Sequence, residues 1–579
     1  MSRFCGAVKF PSLHGFLLAS LLLMTTSLCA ENPTTAIKVD QVGYPTNGPK
    51  VALVSAPGGT FSLKRTSDNA VVFQNKLGPG THDGDSGDMI QSADFSSVQE
   101  AGRYYLDVPG VGRSWNFSIA PDVYLRTYYL AMRAFYGQRC GTAVDLGPEF
   151  PGYTHPACHL KGEFHASSGR QGPRDNIGGW HDAGDYGRYV VNSGISTGSL
   201  LWAWEMFGDR LKAIRLNLRE SGNGSPDILN EARWNIEWML KMQDDDGGVW
   251  HKQTSVRFAA FVMPQDDHLP SEVIGTGSAP YKSTCATADL ASVAAIAARA
   301  YQPFDRRFAA KNLDAARKAW AWTEQHPNVT FRNPPGISTG EYGDDNCNDE
   351  RLWAAAELWR TTGEARYGDF FLKNYQAFLP ELDAAPAEGW REVAAMGLWT
   401  YALSDRKDAN QEVQKDIRAT SVAAANKIAQ RTGNNPYHVS LATKDYVWGS
   451  NGVAASYGVQ LLVANRFAPD RRLADAARDD LHYLLGRNTF SLSWVTQVGE
   501  NPYRHPHHRP SGADHQAEPW PGMLSGGPNA GRQDAVLRAL PPNLPPAKVY
   551  ADAQASYASN EIAINWQAAL VFLLAGELE

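Results

Sequence analysis

The chain has 579 residues, enough for more than one domain, and 11% of them are aromatic, which supplies stacking surfaces as well as core. A formal net charge of −7 gives no basic field for a phosphate backbone, so DNA and RNA are excluded as expected partners. Past the first 30 residues no stretch is apolar for long enough to cross a bilayer, so no membrane contact is expected after that point.

In chain order, Arg3 and Lys9 open a leader whose apolar stretch, Phe16 to Met24, is too short to span a membrane and is followed by Leu28-Cys29-Ala30. Residues 1–30 read as a secretory signal peptide, so the mature chain is expected in the periplasm or the medium. Residues 31–120 show short β-rich runs broken by turns: Ile37 to Val39, Lys50 to Ser55, Phe61 to Arg65, Ala70 to Gln74, Gly102 to Val108 and Ser114 to Ile119. They predict a small β-sandwich. The junction Ala120-Pro121-Asp122 is too short for a free linker, so the module should pack on the domain C-terminal to it. From there to Glu579 the period becomes helical, with stretches at 122–138, 187–206, 226–243, 285–301, 310–325, 350–361, 366–380, 389–403, 410–431, 450–467, 471–486 and 557–577. Periodicity alone supports a large helical domain.

Three carboxyl groups carry the chemistry. Asp182 and Asp185 stand three apart in a Gly-rich turn ahead of an apolar helix, placed to hold and polarise a water; their competing role would be to cap that helix. Glu561 falls on an otherwise apolar helical stretch, where burial raises a carboxyl pKa and keeps its proton. His507 and Arg509 are donors two apart in a Pro-rich, irregular stretch, suited to sugar hydroxyls. The charge of Asp552 would hold the proton on Glu561 or orient a neighbouring donor. Trp448 and Trp566 are candidate cleft aromatics. Isolated histidines such as His251 and His482 read as solvated.

Past the leader the cysteines are Cys140, Cys158, Cys285 and Cys347, an even count that ordinarily means two disulfides in an exported chain. Yet His159 comes directly after Cys158, and His181 abuts Asp182. Two thiolates and two imidazoles make a closed tetrahedral zinc set, with a Cys140–Cys158 disulfide as the alternative. Whether Cys285 and Cys347 pair is unreadable. Asp344, Asn346, Asp349 and Glu350 form an oxygen-rich candidate calcium loop, although acids also favour a helix N-terminus for its dipole.

Trp180-His181-Asp182-Ala183-Gly184-Asp185, the run Ser493 to Arg509 ending His507-His508-Arg509, and Tyr550-Ala551-Asp552 with Ser559-Asn560-Glu561 together resemble family 9 glycoside hydrolases, the cellulase family. The resemblance covers the whole chain after the leader. It implies an (α/α)6 barrel over 121–579, with Asp185 as base, Asp182 as its helper, Glu561 as general acid, His507 and Asp552 as further catalytic partners, and Arg509 at the substrate. Gln41-Val42-Gly43-Tyr44-Pro45 resembles the opening of the immunoglobulin-like module that some family members carry, and the spacing of Cys140, Cys158-His159 and His181 resembles their structural zinc site; relatives often bind calcium. The usual Asn of the last block is Gln567 here, a change expected to affect helix packing more than chemistry. The implied activity is that of a secreted, monomeric, inverting endo-β-1,4-glucanase acting on cellulose or soluble β-glucans. An exo-acting cellodextrinase or cellobiohydrolase, a β-glucosaminidase, and a non-catalytic glycan-binding protein are the alternatives, the last disfavoured because all three carboxyls are present.

Overall fold

The computed structural model describes residues 32–383 and 388–578, and the leader expected at 1–30 lies outside them. Two sheets form the N-terminal sandwich. One orders the strands Ile37–Lys38, Val51–Val54, Met89–Asp94 and Thr81–His82; the other orders Gly43–Tyr44, Phe117–Ile119, Gly102–Val108, Thr60–Arg65 and Val71–Lys76. Alternate residues face inward, so Phe61, Leu63, Tyr104, Leu106, Val108, Phe117 and Ile119 make one core. The strand Met89–Asp94 was not among the predicted runs, because Gln91, Ser92 and Asp94 dilute its apolar alternation.

The module is fixed to the helical part, as its short junction requires. Gln41 donates to the Ser491 carbonyl (2.9 Å) and accepts from the amides of Glu500 (3.0 Å) and Asn501 (2.6 Å). Beside it Asp40 meets His482 Nδ1 at 2.8 Å and the Tyr124 hydroxyl at 3.1 Å. His482 and His251 are therefore buried and partnered, where a solvated position was expected.

Among the described residues twelve long helices answer the predicted stretches one for one and form an (α/α)6 barrel. The inner ring is Val190–Leu211, Thr284–Tyr301, Asn348–Thr362, Ala394–Ala402, Ser450–Phe467 and Ile564–Glu577, the last packing back on the first. Inner helices are buried on every side: in Thr284–Tyr301 each residue from Thr284 to Ala298 is inside, and its many alanines let neighbours approach closely. Outer helices bury one stripe, as Arg306–Gln325 does with Phe308, Asn312, Ala315, Ala316, Ala319 and Trp320, and Asp305 caps it by accepting from Phe308 N at 3.0 Å.

Two departures from the predicted elements bear on the site. The stretch 557–577 is interrupted: a turn at Tyr557–Asn560 and the helix Ile564–Glu577 flank Glu561, whose backbone is extended (φ −76°, ψ 157°). Glu561 is thus in a break and not on a helix, because its main chain pairs with His507 in a parallel bridge and its carbonyl accepts from Gly526 N at 2.8 Å. The second departure is a five-stranded sheet built from barrel loops, in the order Pro173–Arg174, Gly162–Phe164, Glu272–Ile274, Lys252–Thr254, Arg188–Tyr189. Its last strand sets the direction of the chain between Asp185 and the helix at Val190.

Candidate active site

Asp182 and Asp185 do not cap the helix behind them, whose N-cap is Tyr189 with no side-chain cap bond. Asp182 is 1% exposed; its Oδ1 accepts from Asn192 Nδ2 (2.7 Å) and its Oδ2 from the Tyr342 hydroxyl (2.6 Å). Burial first, and the charge of Asp185 second, raise its pKa to about 7 against those two hydrogen bonds. Asp185 Oδ2 accepts from Gly187 N (3.0 Å) and the Tyr189 hydroxyl (3.2 Å), and its Oδ1 has no protein donor among the described residues. One oxygen is held and the other is free to take a proton.

Glu561 shares with these two carboxylates a cavity of about 410 Å³, also lined by Tyr189, Tyr342, Trp390, Trp448 and Trp566. Burial, then the negative charges of Asp185 and Asp182, hold its carboxyl well above the usual range, with Arg509 pulling the other way. The arrangement favours a protonated Glu561. Trp448, 41% exposed, has its ring 5.4 Å from that of Tyr557, which lies 5.9 Å from His507, so aromatic rings line the cavity beside Glu561. Trp566 fits because Gly449 and Gly452 leave it room: a Cβ on either would sit 2.5 or 2.1 Å from the indole.

His507 Nδ1 lies 2.7 Å from the Gln554 carbonyl, which can only accept, so Nδ1 carries the hydrogen and Nε2 is left as an acceptor. Arg509 is 5% exposed and donates Nε to the Ala259 carbonyl (2.9 Å) and Nη1 to the Gly184 carbonyl (2.7 Å). Those bonds make it a strut between loops through Nε and Nη1. Asp552 accepts from Arg504 N (2.8 Å), His505 N (2.8 Å) and Asn560 Nδ2 (3.0 Å), orienting neighbouring donors and fixing the chain that leads to His507. Gln567 donates to Ala131 O (2.9 Å) and Gly522 O (2.8 Å) and accepts from Leu524 N (2.9 Å), the packing role expected of it. Sequence reasoning missed Tyr189, Asn192, Tyr342 and Trp390; only Tyr189 and Asn192 sit near the motif, and nothing marks the 150-residue link from Asn192 to Tyr342.

The pattern of glycosyl hydrolase family 9 matches residues 124–574, and that of the cellulase N-terminal Ig-like domain matches residues 32–113. The chain belongs to glycosyl hydrolase family 9. It is 38% identical to endoglucanase D of Acetivibrio thermocellus over 577 residues, covering 98% of this chain and 85% of that protein. It is 34% identical to a xyloglucan-specific endo-β-1,4-glucanase of Bacteroides ovatus, covering 98% of this chain and 97% of that protein. A crystal structure described as the zinc-binding triple mutant of a family 9 endoglucanase superposes with a TM-score of 0.86 at 34% identity, covering 92% of this chain and 99% of that one.

In this family 9 glycosidase Cys140 and Cys158 are unpaired, and their sulfurs and one nitrogen each of His159 and His181 lie within 4.8 Å of one another. A zinc tetrahedron has edges of about 3.3–3.8 Å, so a small contraction suffices. His159 Nδ1 is buried without a partner while Nε2 faces Asp267 Oδ2 at 3.3 Å, the arrangement of a ligating imidazole oriented by a carboxylate. The donor set fits zinc.

Cys285 and Cys347 form a disulfide between the starts of two inner helices. Beside it the acidic loop is regrouped. Asn346 is exposed and its Oδ1 accepts from Asn348, so it leaves the predicted calcium set. Asp289, from Thr284–Tyr301, comes in instead: both its oxygens are buried without a hydrogen bond, as is Asp344 Oδ2. Burial and the charges of Asp349 and Asp344 hold Asp289 well above the usual carboxylate range; burial, Asp349 and Asp289 do the same to Glu350. These carboxylates are buried and raise one another's pKa by repulsion.

Proposed function

We propose that this chain is an inverting endo-β-1,4-glucanase, acting on cellulose or related soluble β-glucans. The observation that carries the reading is the division of Asp185, one oxygen fixed by Gly187 and Tyr189 and the other open, in the same cavity as a half-buried, proton-retaining Glu561. Water gives a proton to Asp185 as its oxygen attacks the anomeric carbon. The glycosidic C–O bond breaks, and its oxygen leaves with the proton of Glu561. The new C–O bond forms on the opposite face, so the anomer inverts. Asp182 orients the water, and the aromatic wall of Trp448 and Tyr557 stacks on pyranose rings. The endoglucanases of Acetivibrio thermocellus and Bacteroides ovatus, alike over nearly all of this chain, support the substrate class.

Zinc would be held by Cys140, Cys158, His159 and His181. With four protein ligands it supplies structure, pinning the chain beside Asp182. Calcium would be held by Asp344, Asp349, Glu350 and Asp289, where it neutralises their charge. Chelation by EGTA should lower the melting temperature, and Asp289→Asn should abolish most of that difference. Among the described residues no helix is long and apolar enough to cross a membrane. Removal of residues 1–30 on secretion, and action as a monomer, complete the proposal.

The deciding experiment compares carboxymethyl cellulose, cello-oligosaccharides, xyloglucan and chitosan oligomers side by side. An endo-glucanase lowers the viscosity of the polymer early, before many reducing ends appear. Release of one small product at constant viscosity would make the enzyme an exo-acting cellodextrinase.

A further inference from the structure

Lys252 is fully buried on the strand Lys252–Thr254 and pairs in register with Tyr189 of the neighbouring strand. Its ammonium donates to the Gly340 carbonyl (2.7 Å), Asn333 Oδ1 (2.7 Å) and Thr339 Oγ1 (3.1 Å), and lies 5.6 Å from the centre of the Tyr189 ring. Among the described residues no carboxylate comes within ion-pair distance of it. A buried ammonium without an ion pair is unfavourable, and burial lowers its pKa to about 7. An apolar side chain of the same length would fill the space without that penalty, so packing does not explain a lysine here.

What Lys252 touches does explain it. Its three acceptors lie between Asn333 and Gly340, on the strap that runs into Tyr342. The Tyr342 hydroxyl is the donor to Asp182, and the Tyr189 hydroxyl is a donor to Asp185. The two tyrosine rings are 4.7 Å apart. One cation therefore steadies the supports of both catalytic carboxylates, by the ring face of one tyrosine and the main chain two residues before the other.

We propose that Lys252 is a positioning residue of the hydrolytic site, a buried ammonium that presents the Tyr189 and Tyr342 hydroxyls to Asp185 and Asp182 and, over the acidic limb of the pH profile, places positive charge behind the base. This rests on Asp185 being that base. The other groups whose charge reaches Asp185 are Asp182 on its own loop, Glu561 and His507; Arg509 stands beyond them, acting on both Glu561 and His507.

The test is kcat/KM against pH on a soluble cello-oligosaccharide for wild type, Lys252→Met, Lys252→Gln and Lys252→Arg, with folding checked by circular dichroism. The base works ionised, so activity rises with pH through its pKa. Removing the cation should move that acidic limb upward by roughly half to one pH unit and lower kcat by at least about tenfold, with KM little changed. Lys252→Arg should keep the limb in place. Lys252→Gln retains hydrogen-bonding capacity without charge, so it carries the test where Lys252→Met fails to fold. A folded Lys252→Gln enzyme with the wild-type limb, whatever its kcat, overturns the inference. Asp185→Ala, assayed alongside, separates the two readings: full activity there defeats the base assignment, whereas an inactive Asp185→Ala beside an unmoved Lys252→Gln limb defeats this inference alone.

Discussion

Gly184 sits so close beneath His507 that a Cβ on it would lie 1.8 Å from the His507 carbonyl oxygen. Its own carbonyl accepts from Arg509 N (3.1 Å) and Arg509 Nη1 (2.7 Å), while the main chain of His507 pairs with Glu561. The loop of Asp185 and the segment that pairs with Glu561 are thus joined through one residue between Asp182 and Asp185. Gly184→Ala should force the two apart, lowering kcat/KM by about a hundredfold or more and stability by roughly 1–3 kcal/mol. Cello-oligosaccharide turnover and thermal melts measure both.

Asp185→Ala and Glu561→Ala should each lower turnover of an unactivated glucan by at least about a hundredfold, since general acid and base catalysis contribute roughly 10² to 10⁴ each. Azide should restore part of the Asp185→Ala activity, because a small anion can take the place of the activated water. A substrate with a good leaving group should be nearly indifferent to Glu561→Ala. Wild-type turnover in either folded variant would remove the assignment.

The pKa of Asp182, raised to about 7 from 3.8, has a consequence for stability. Between those values the folded chain binds more protons at this position than the unfolded chain, so stability falls as pH rises from about 4 to about 7. Asp182→Asn, which cannot ionise, should gain melting temperature relative to wild type across that window and show its smallest gain below pH 4. It should also lose activity. A constant difference from pH 4 to pH 8 would contradict the buried, proton-holding environment.

Purified enzyme should contain about one zinc per chain, lost in Cys158→Ser together with melting temperature and turnover but with the same bonds cut. Asp267→Asn should weaken zinc retention by roughly 10- to 100-fold through His159 alone. Elemental analysis without zinc, with a mapped Cys140–Cys158 disulfide, would return these cysteines to an ordinary covalent role.

The sequence was most readable where function and local pattern coincide. Asp182, Asp185, Glu561 and the four residues proposed to hold zinc stand in short blocks whose residue types have few other uses together. The structure moved Glu561 off a helix because a bridge to His507, 54 residues earlier, outweighs the helical preference of the apolar residues after it. Arg509 also braces two loops and Asp552 orients the amides of Arg504 and His505, contacts with segments far away in the chain that no local pattern announces. Tyr342, Lys252 and Asp289 had no local signal, each doing its work through a neighbour that only the closed barrel provides. The helices, inner and outer alike, were found by their helical period, while Met89–Asp94 was lost because a half-polar strand next to a turn resembles loop.

The central claim is that Asp185 acts through water and not as a nucleophile. Proton NMR of the first turnovers on a β-linked cello-oligosaccharide tests it most directly: the newly formed reducing end should appear as the α-anomer and only later mutarotate. A β-anomer as the initial product would mean a glycosyl-enzyme intermediate, and would contradict the roles given to Asp185 and Glu561.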